Sequence, residues 1–141
     1  MARTTDAPYV LDAQVGFLMR KATQRHLSIF AAHIPDLTPT QFATLAKLYE
    51  RGPTTQNALG RATAMDAATI KGVVDRLRAR GLVASAPDPA DCRRVSVRAT
   101  AEGRRAFEGH ARAAHAITRE TLAPLTPAEQ EMFLRLLARL G

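Results

Sequence analysis

Between Lys71 and Arg94 the chain carries Lys71, Arg76, Arg78, Arg80, Arg93 and Arg94, side chains suited to binding phosphate oxygens. A guanidinium fork takes two oxygens of one phosphate, whereas an ammonium acts as a point charge. Arg93 and Arg94 fall in a Pro/Asp turn, PDPADCRR. Asp91, two residues before Arg93, is suited to hold that loop by a charge-assisted bond. Upstream, Thr55, Gln56 and Asn57 supply hydroxyl and amide groups of the kind that contact DNA phosphates. Ala67, Ala68, Thr69, Lys71 and Gly72 open a helical pattern. There Thr69 suits a base edge or phosphate, Lys71 a guanine edge or phosphate, and an Ala methyl the methyl of thymine. Gly72 allows close approach of the backbone and reads nothing. Arg76 is read two ways: as a further cation for this surface, and as a structural partner of Asp75.

These residues need a scaffold, and the pattern of the chain describes one. Two short helical runs are joined by a tight connection: about Thr55 to Ala62, then Asp66 to Arg80 with Asp66 as N-cap and Gly81 as the stop. The strand-like runs Leu82 to Ser85 and Val95 to Arg98 flank the turn. A helix-turn-helix followed by a wing is the arrangement that sets a helix in a DNA major groove with a basic hairpin beside it. Ahead of it, apolar residues and two histidines recur at three- and four-residue steps from Leu11 through Val15, Leu18, Ala22, His26 and Ile29 to His33. They predict one long amphipathic helix opened near Pro8 and ended by Pro35. Thr38, Pro39 and Gln41 form a capping-box start for a second helix, and Thr126, Pro127 and Glu129 repeat it for the last one. Thr100 caps the helix between, which Pro124 breaks. Met1 to Ala7 form a polar lead-in.

The expected fold is mainly α with a small β wing: a winged helix-turn-helix plus terminal dimerisation helices. Residues 1–141 make one domain, with a DNA-binding lobe over 37–100 and dimerisation helices over 8–34 and 101–141. The chain is Ala-rich, only 5% aromatic and without Trp, so it has little with which to fill a core of its own. A second copy is therefore the expected cover for the terminal helices.

The net charge of +7 favours a polyanionic partner. One cysteine, Cys92, makes no internal disulfide and suits a reducing compartment. No apolar run approaches the roughly 20 residues of a membrane span. MARTTDAPYV has no hydrophobic signal core. A cytoplasmic location without a membrane partner is expected.

VVDRLRARGLV followed by DPADCRRVSVRATAEG resembles the MarR family of bacterial transcriptional regulators, as does LTPTQFATLAKL further upstream. The resemblance covers nearly the whole chain. It implies a winged-helix homodimer on double-stranded DNA at a pseudo-palindromic operator, usually a repressor, released by a small aromatic carboxylate or phenol. Asp91 and Arg93 match the family's wing Asp-x-Arg. Many members carry Arg where Cys92 and Gly72 stand here.

The resemblance also implies an effector pocket between the dimer helices and the DNA-binding lobe, lined by the first, second and fifth helices. On the first and fifth helices His26 and His110 interrupt apolar stripes, with Arg20 near His26 in sequence. Either kind of side chain suits a ligand carboxylate, and Phe17, Phe42 or Phe107 suits an aromatic ring. Two other sensing chemistries compete. His26, His33, His110 and His115 are potential zinc ligands, but their spacings of seven and five are not those of a tight helical pair, and no metal is expected. Cys92 beside Arg93 and Arg94 is a candidate redox sensor, with Asp91 opposing thiolate formation. An architectural protein neutral to DNA sequence also fits the charge. No phosphate loop, HExxH or serine-nucleophile motif points to an enzyme, and no cofactor is expected.

Overall fold

The structure is a computed structural model that describes residues 7–141; residues 1–6 of the polar lead-in lie outside it. The described elements are α1 (Val15–His33), α2 (Pro39–Arg51), β1 (Thr54–Thr55), α3 (Gln56–Ala62), α4 (Ala67–Ala79), β2 (Val83–Pro87), β3 (Val95–Ala99), α5 (Ala101–Leu122) and α6 (Pro127–Ala138). The mainly helical class with a small β wing is as expected. None of these helices is long and apolar enough to cross a membrane.

Helix starts follow local chemistry closely. Thr38 and Thr126 each accept the backbone N–H three residues on, and Gln41 and Glu129 return the bond to the cap's own N–H. Asp66 accepts from Thr69 N at 2.7 Å and so begins α4 where its side chain requires. The turn before it is tight enough to force Ala64 to φ 56°, a left-handed conformation in which an alanine is strained.

Three boundaries depart from the sequence reading. The first helix is not continuous from Pro8. A 3₁₀ turn at Leu11–Ala13 precedes α1, and Gln14 between them is extended, its amide donating to Val10 O. Periodicity runs across this break because Leu11 and Val15 are both exposed, so neither marks a change of phase. Of the wing strands, β2 starts one residue and ends two residues later than its apolar letters suggested, while β3 starts at Val95 as expected and ends one residue later. A third strand, β1, also joins the sheet, in the order β1-β3-β2 and antiparallel throughout, with Thr54 opposite Val97 and Thr55 opposite Ser96. Two residues are too few to show an alternation.

The core lies where α2, α3, α4 and the sheet meet, with Leu45, Leu59, Ile70, Val74 and Leu77 almost wholly buried. Four of the few aromatic residues form a string that ties α1, α2 and α5. Phe30 packs on Phe42 (ring centroids 6.2 Å), Phe42 on Phe107 (5.5 Å), and Phe107 on Tyr49 (4.6 Å). Such pairs contribute about 0.5–1.5 kcal/mol each beyond burial.

The recognition-type helix α4 ends in a Schellman motif. Leu82 N–H donates to Leu77 O, Gly81 N–H donates to Arg78 O, and Gly81 takes φ 73°, which a glycine adopts without strain. The start of α5 crosses this point. Thr100 N–H donates to Leu82 O at 3.1 Å, and its hydroxyl donates to Gly81 O at 2.7 Å and accepts from Gly103 N–H. A Cβ on Gly103 would sit 2.0 Å from Leu82 O, so only glycine fits the crossing. Gly109, in the same helix, meets nothing within 4 Å. Gly103→Ala is therefore expected to lower stability by about 1–3 kcal/mol through overpacking. Gly109→Ala should raise it by roughly 0.5–1 kcal/mol through helix propensity. Thermal or urea unfolding of the two variants checks the opposite signs.

Candidate nucleic-acid interface and effector groove

α4 turns Ile70, Val73, Val74 and Leu77 inward and leaves Ala67, Ala68, Thr69, Lys71 and Arg76 exposed. The sequence-predicted residues of the first turns thus share an open surface. Their electrostatics separate them. Lys71 Nζ lies 2.7 Å from Asp75, and Arg78 is 3.1 Å from the same carboxylate and 2.6 Å from Ser85 Oγ. These bonds, the one from Lys71 first, hold the Asp75 carboxyl below its usual range. The Asp75–Arg76 pair weighed from the sequence does not form, because the helix repeat carries Asp75 toward positions 71 and 78 instead. Arg76 lies over Gly72: its guanidinium is 3.4 Å from where a Cβ on Gly72 would be. Arg80 is structural. It donates to Asp36 O at 2.7 Å and stands near Gln41 Oε1, tying the end of α4 to the α1–α2 connection.

In the wing, Asp91 acts as the sequence suggested. Its Oδ1 accepts from Arg93 N at 3.0 Å and from Arg93 Nε at 3.2 Å. The guanidinium bond, followed by that from the backbone N–H, lowers the pKa of Asp91. Arg93 remains 88% exposed, so the pair shapes the loop and adds little stability. Arg94 closes the same loop through its backbone, accepting from Asp88 N–H and donating to Asp91 O, and its side chain is exposed. Thr55 serves as the N-cap of α3, accepting from Ala58 N–H, while Gln56 is half-buried and Asn57 is exposed beside it. Cys92 is exposed in the wing turn.

The five ligand candidates do not meet within one chain. Phe42 is enclosed in the aromatic string. His110 bonds Asp36 through Nε2 at 3.0 Å. Partial burial works against ionisation of Asp36, but the His110 bond, a backbone hydrogen bond and the charges of His110 and Arg80 together outweigh it, and the carboxyl pKa is lowered. Phe17 lies under Lys21, with Nζ 5.7 Å from the ring centroid, and Arg20 is exposed. His26 alone lines a groove, of about 290 Å³, bounded by α1, α5 and α6 rather than by α1, α2 and α5. There its Nδ1 is 2.9 Å from Thr121 Oγ1, and Phe133, Leu134 and Leu137 make the apolar wall. His33 bonds Glu120 at 2.7 Å, so the histidines serve separate partners, and no group of three metal-ligating side chains occurs among the described residues. The outer face of α6 is uncovered: Met132, Phe133, Leu136 and Leu137 are exposed, as are Leu140 just beyond it and Val15, Leu18 and Met19 of α1.

A profile of the MarR family matches residues 37–95, which span α2 to the start of β3. The HTH-type transcriptional repressor NicR of Pseudomonas putida is 42% identical over 96% of this chain and 87% of its own length. The chain belongs to the MarR family. A crystal structure of a probable transcriptional regulator from Pseudomonas aeruginosa is 53% identical, with TM-score 0.90 over 94% of this chain and all of that one. A structure of Bordetella bronchiseptica BpsR, described as showing how 6-hydroxynicotinic acid regulates its DNA binding, is 42% identical. Its TM-score is 0.90 over 95% of this chain and 97% of that one. Nothing among these relatives supports the redox alternative through Cys92.

Two features of this MarR-family chain escaped the sequence reading. Arg61 lines an open cleft together with Thr55, Gln56, Asn57 and Arg94. Its signal was present, one helical turn beyond Asn57, but a lone Arg near a helix end reads first as a favourable dipole charge. The contribution of α6 to the groove depends on how α6 folds back, which no local pattern encodes. The cap of α4 yields a pH test. Its bond to Thr69 N–H lowers the pKa of Asp66 in the folded chain, so the stabilisation is present above the usual Asp range and lost as pH falls through the depressed value. Asp66→Ala is expected to melt below the wild type at neutral pH, and the gap should close in acid. A constant gap across a pH series of melting curves would contradict this origin.

Proposed function

We propose that the protein is a dimeric transcriptional repressor that leaves its operator when a small aromatic acid binds. The observation that carries the reading is the basic wing beside an open helix face. Asp91 fixes a hairpin turn from which Arg93 and Arg94 project, next to the exposed Ala68, Thr69, Lys71 and Arg76 of α4. A helix and hairpin so placed suit a major groove and the adjoining minor groove. Because Lys71 is already paired with Asp75, Arg76 is the better-placed free cation of the helix, and Thr69 with the Ala methyls supplies the base-edge contacts. Residues 37–100 then form the reading lobe, and 8–34 with 101–141 the dimerisation helices. Their uncovered apolar face, shared by α1 and α6, is too continuous for a free surface and fits a second copy.

For the effector, the groove at His26 offers apolar walls and a few converging polar groups, the composition a small aromatic ligand needs. His26 takes the carboxylate and Phe133 packs on the ring. The 6-hydroxynicotinic acid named for BpsR is of this chemical class. The groove and the DNA lobe are joined by α5, which carries Thr121 at one end and the Thr100–Gly103 crossing at the other. A ligand bound differently by two spacings of the recognition helices shifts their separation from about one turn of DNA, ~34 Å.

The test uses duplexes selected by the protein from a random pool. Full-length protein should sediment as a dimer and bind these duplexes far more tightly than random DNA. It should also release them with 6-hydroxynicotinic or a related aromatic acid. His26→Ala should need roughly tenfold more acid, the usual loss with a charge-assisted bond, at unchanged DNA affinity. A monomer, or equal affinity for selected and random duplexes, would overturn the reading, the second outcome in favour of an architectural binder.

A further inference from the structure

The cations of the DNA-facing side fall into two groups. Lys71, Arg78 and Arg93 are held by carboxylates, and Arg80 by a backbone carbonyl. Arg76, Arg61 and Arg94 are different: among the described residues none of their guanidinium groups meets a carboxylate, and Arg76 lies over Gly72 on α4, apart from the other two. Arg61 and Arg94 line one open cleft of about 500 Å³ between α3 and the base of the wing. The remaining lining, Thr55, Gln56, Asn57 and Val95, adds polar side chains and no acid.

The fold fixes the width of this cleft by backbone bonds. β1 pairs with β3 at Thr54–Val97 and Thr55–Ser96, which ties the start of α3 to the strand that follows Arg94. The Arg94 backbone is held on both sides, by Asp88 N–H and Asp91 O. At the other end of α3, Gly60 lies so close to α4 that a Cβ there would be 3.1 Å from Ile70 Cγ2. Two unpaired guanidinium groups are thus set across a rigid, acid-free, solvent-open gap. Like charges on facing walls are unfavourable unless an anion enters between them.

We propose that Arg61 and Arg94 together grip one phosphodiester of the DNA backbone, with Gln56 and Asn57 completing the site. The proposal rests on the DNA-binding reading above and adds Arg61 to it as a residue that positions the lobe without reading sequence. An α3 contact and a wing contact on the same phosphate would lock the wing's angle relative to the helix-turn-helix. The register of Thr69 and Arg76 on the bases follows from that angle.

Because a phosphate contact carries no sequence information, the test does not need the operator. Binding of full-length protein to a fluorescein-labelled random-sequence duplex of roughly 30 base pairs is followed by anisotropy from about 50 mM salt upward. Arg61→Ala, Arg94→Ala and the double variant are compared with Arg119→Ala, which removes an equal charge from exposed α5 outside the cleft. Arg61→Lys keeps the charge without the fork. Arg61→Ala and Arg94→Ala should each weaken binding several-fold more than Arg119→Ala, with partial recovery in Arg61→Lys. The double variant should lower the slope of log K against log salt by about 0.9 per protomer, one phosphate's worth. An Arg61→Ala variant indistinguishable from Arg119→Ala, with wild-type binding intact, overturns the site alone. A slope loss near twice that value assigns two separate phosphates and overturns the shared grip. A wild-type protein that binds no duplex overturns the DNA-binding reading itself.

Discussion

The recognition-type helix and the wing depend on a crossing of two backbones. Where α4 ends, Gly81 and Leu82 turn into the wing, and the first turn of α5 lies directly on them. Leu82 O accepts from Thr100 N–H, Gly81 O accepts from the Thr100 hydroxyl, and Gly103 leaves room that a methyl group would fill. The same threonine also starts α5, accepting from Gly103 N–H. Three elements, a recognition-type helix, a β hairpin and the longest helix of the chain, are thereby referenced to one point. A neutral hydrogen bond adds only about 1 kcal/mol net. The sterics are stricter, because packed backbones do not yield gradually.

Around that point the rest of the fold is held by a sparse set of contacts. With few aromatic residues available, the string Phe30, Phe42, Phe107 and Tyr49 joins α1, α2 and α5. Arg25 adds a polar counterpart by donating to the carbonyls of Glu120 and Thr121 at 2.8 and 2.7 Å, at the end of α5 where intrahelical donors run out and Glu120 O otherwise accepts only from Ala123 N–H. α6 is the exception. It has a capping box and an apolar face but no buried residue. A helix this apolar and this exposed is completed by another surface, and a second copy supplies one without any further sequence.

Local chemistry was the legible part of the sequence. The caps at Thr38, Asp66, Thr100 and Thr126, the stop at Gly81 and the Asp91–Arg93 bond all act over a few residues, and each stands where its letters put it. Relations between distant residues were not legible. Some local relations went unread as well: helical spacing gives Asp75 to Lys71 and Arg78, while Arg76 lies over Gly72. The long first helix failed at Gln14 because exposed residues keep a helical period whether or not the backbone does. The candidate pocket failed to assemble for a related reason. An apolar stripe interrupted by histidine marks a polar partner on a neighbouring element: for His110 that partner is Asp36, for His33 it is Glu120, and of these three only His26 opens onto a groove.

The account makes the spacing of two recognition helices the quantity on which DNA binding and its release both turn. It is read most directly by electron–electron resonance between nitroxide labels at Ala79→Cys, exposed at the end of α4, of the two protomers, in a Cys92→Ser background that leaves one thiol per chain. A single inter-protomer distance that moves when an aromatic acid is added, at the concentrations that release DNA, is the predicted result. A protein with no inter-protomer distance, or one whose distance stays fixed while DNA is released, would contradict it.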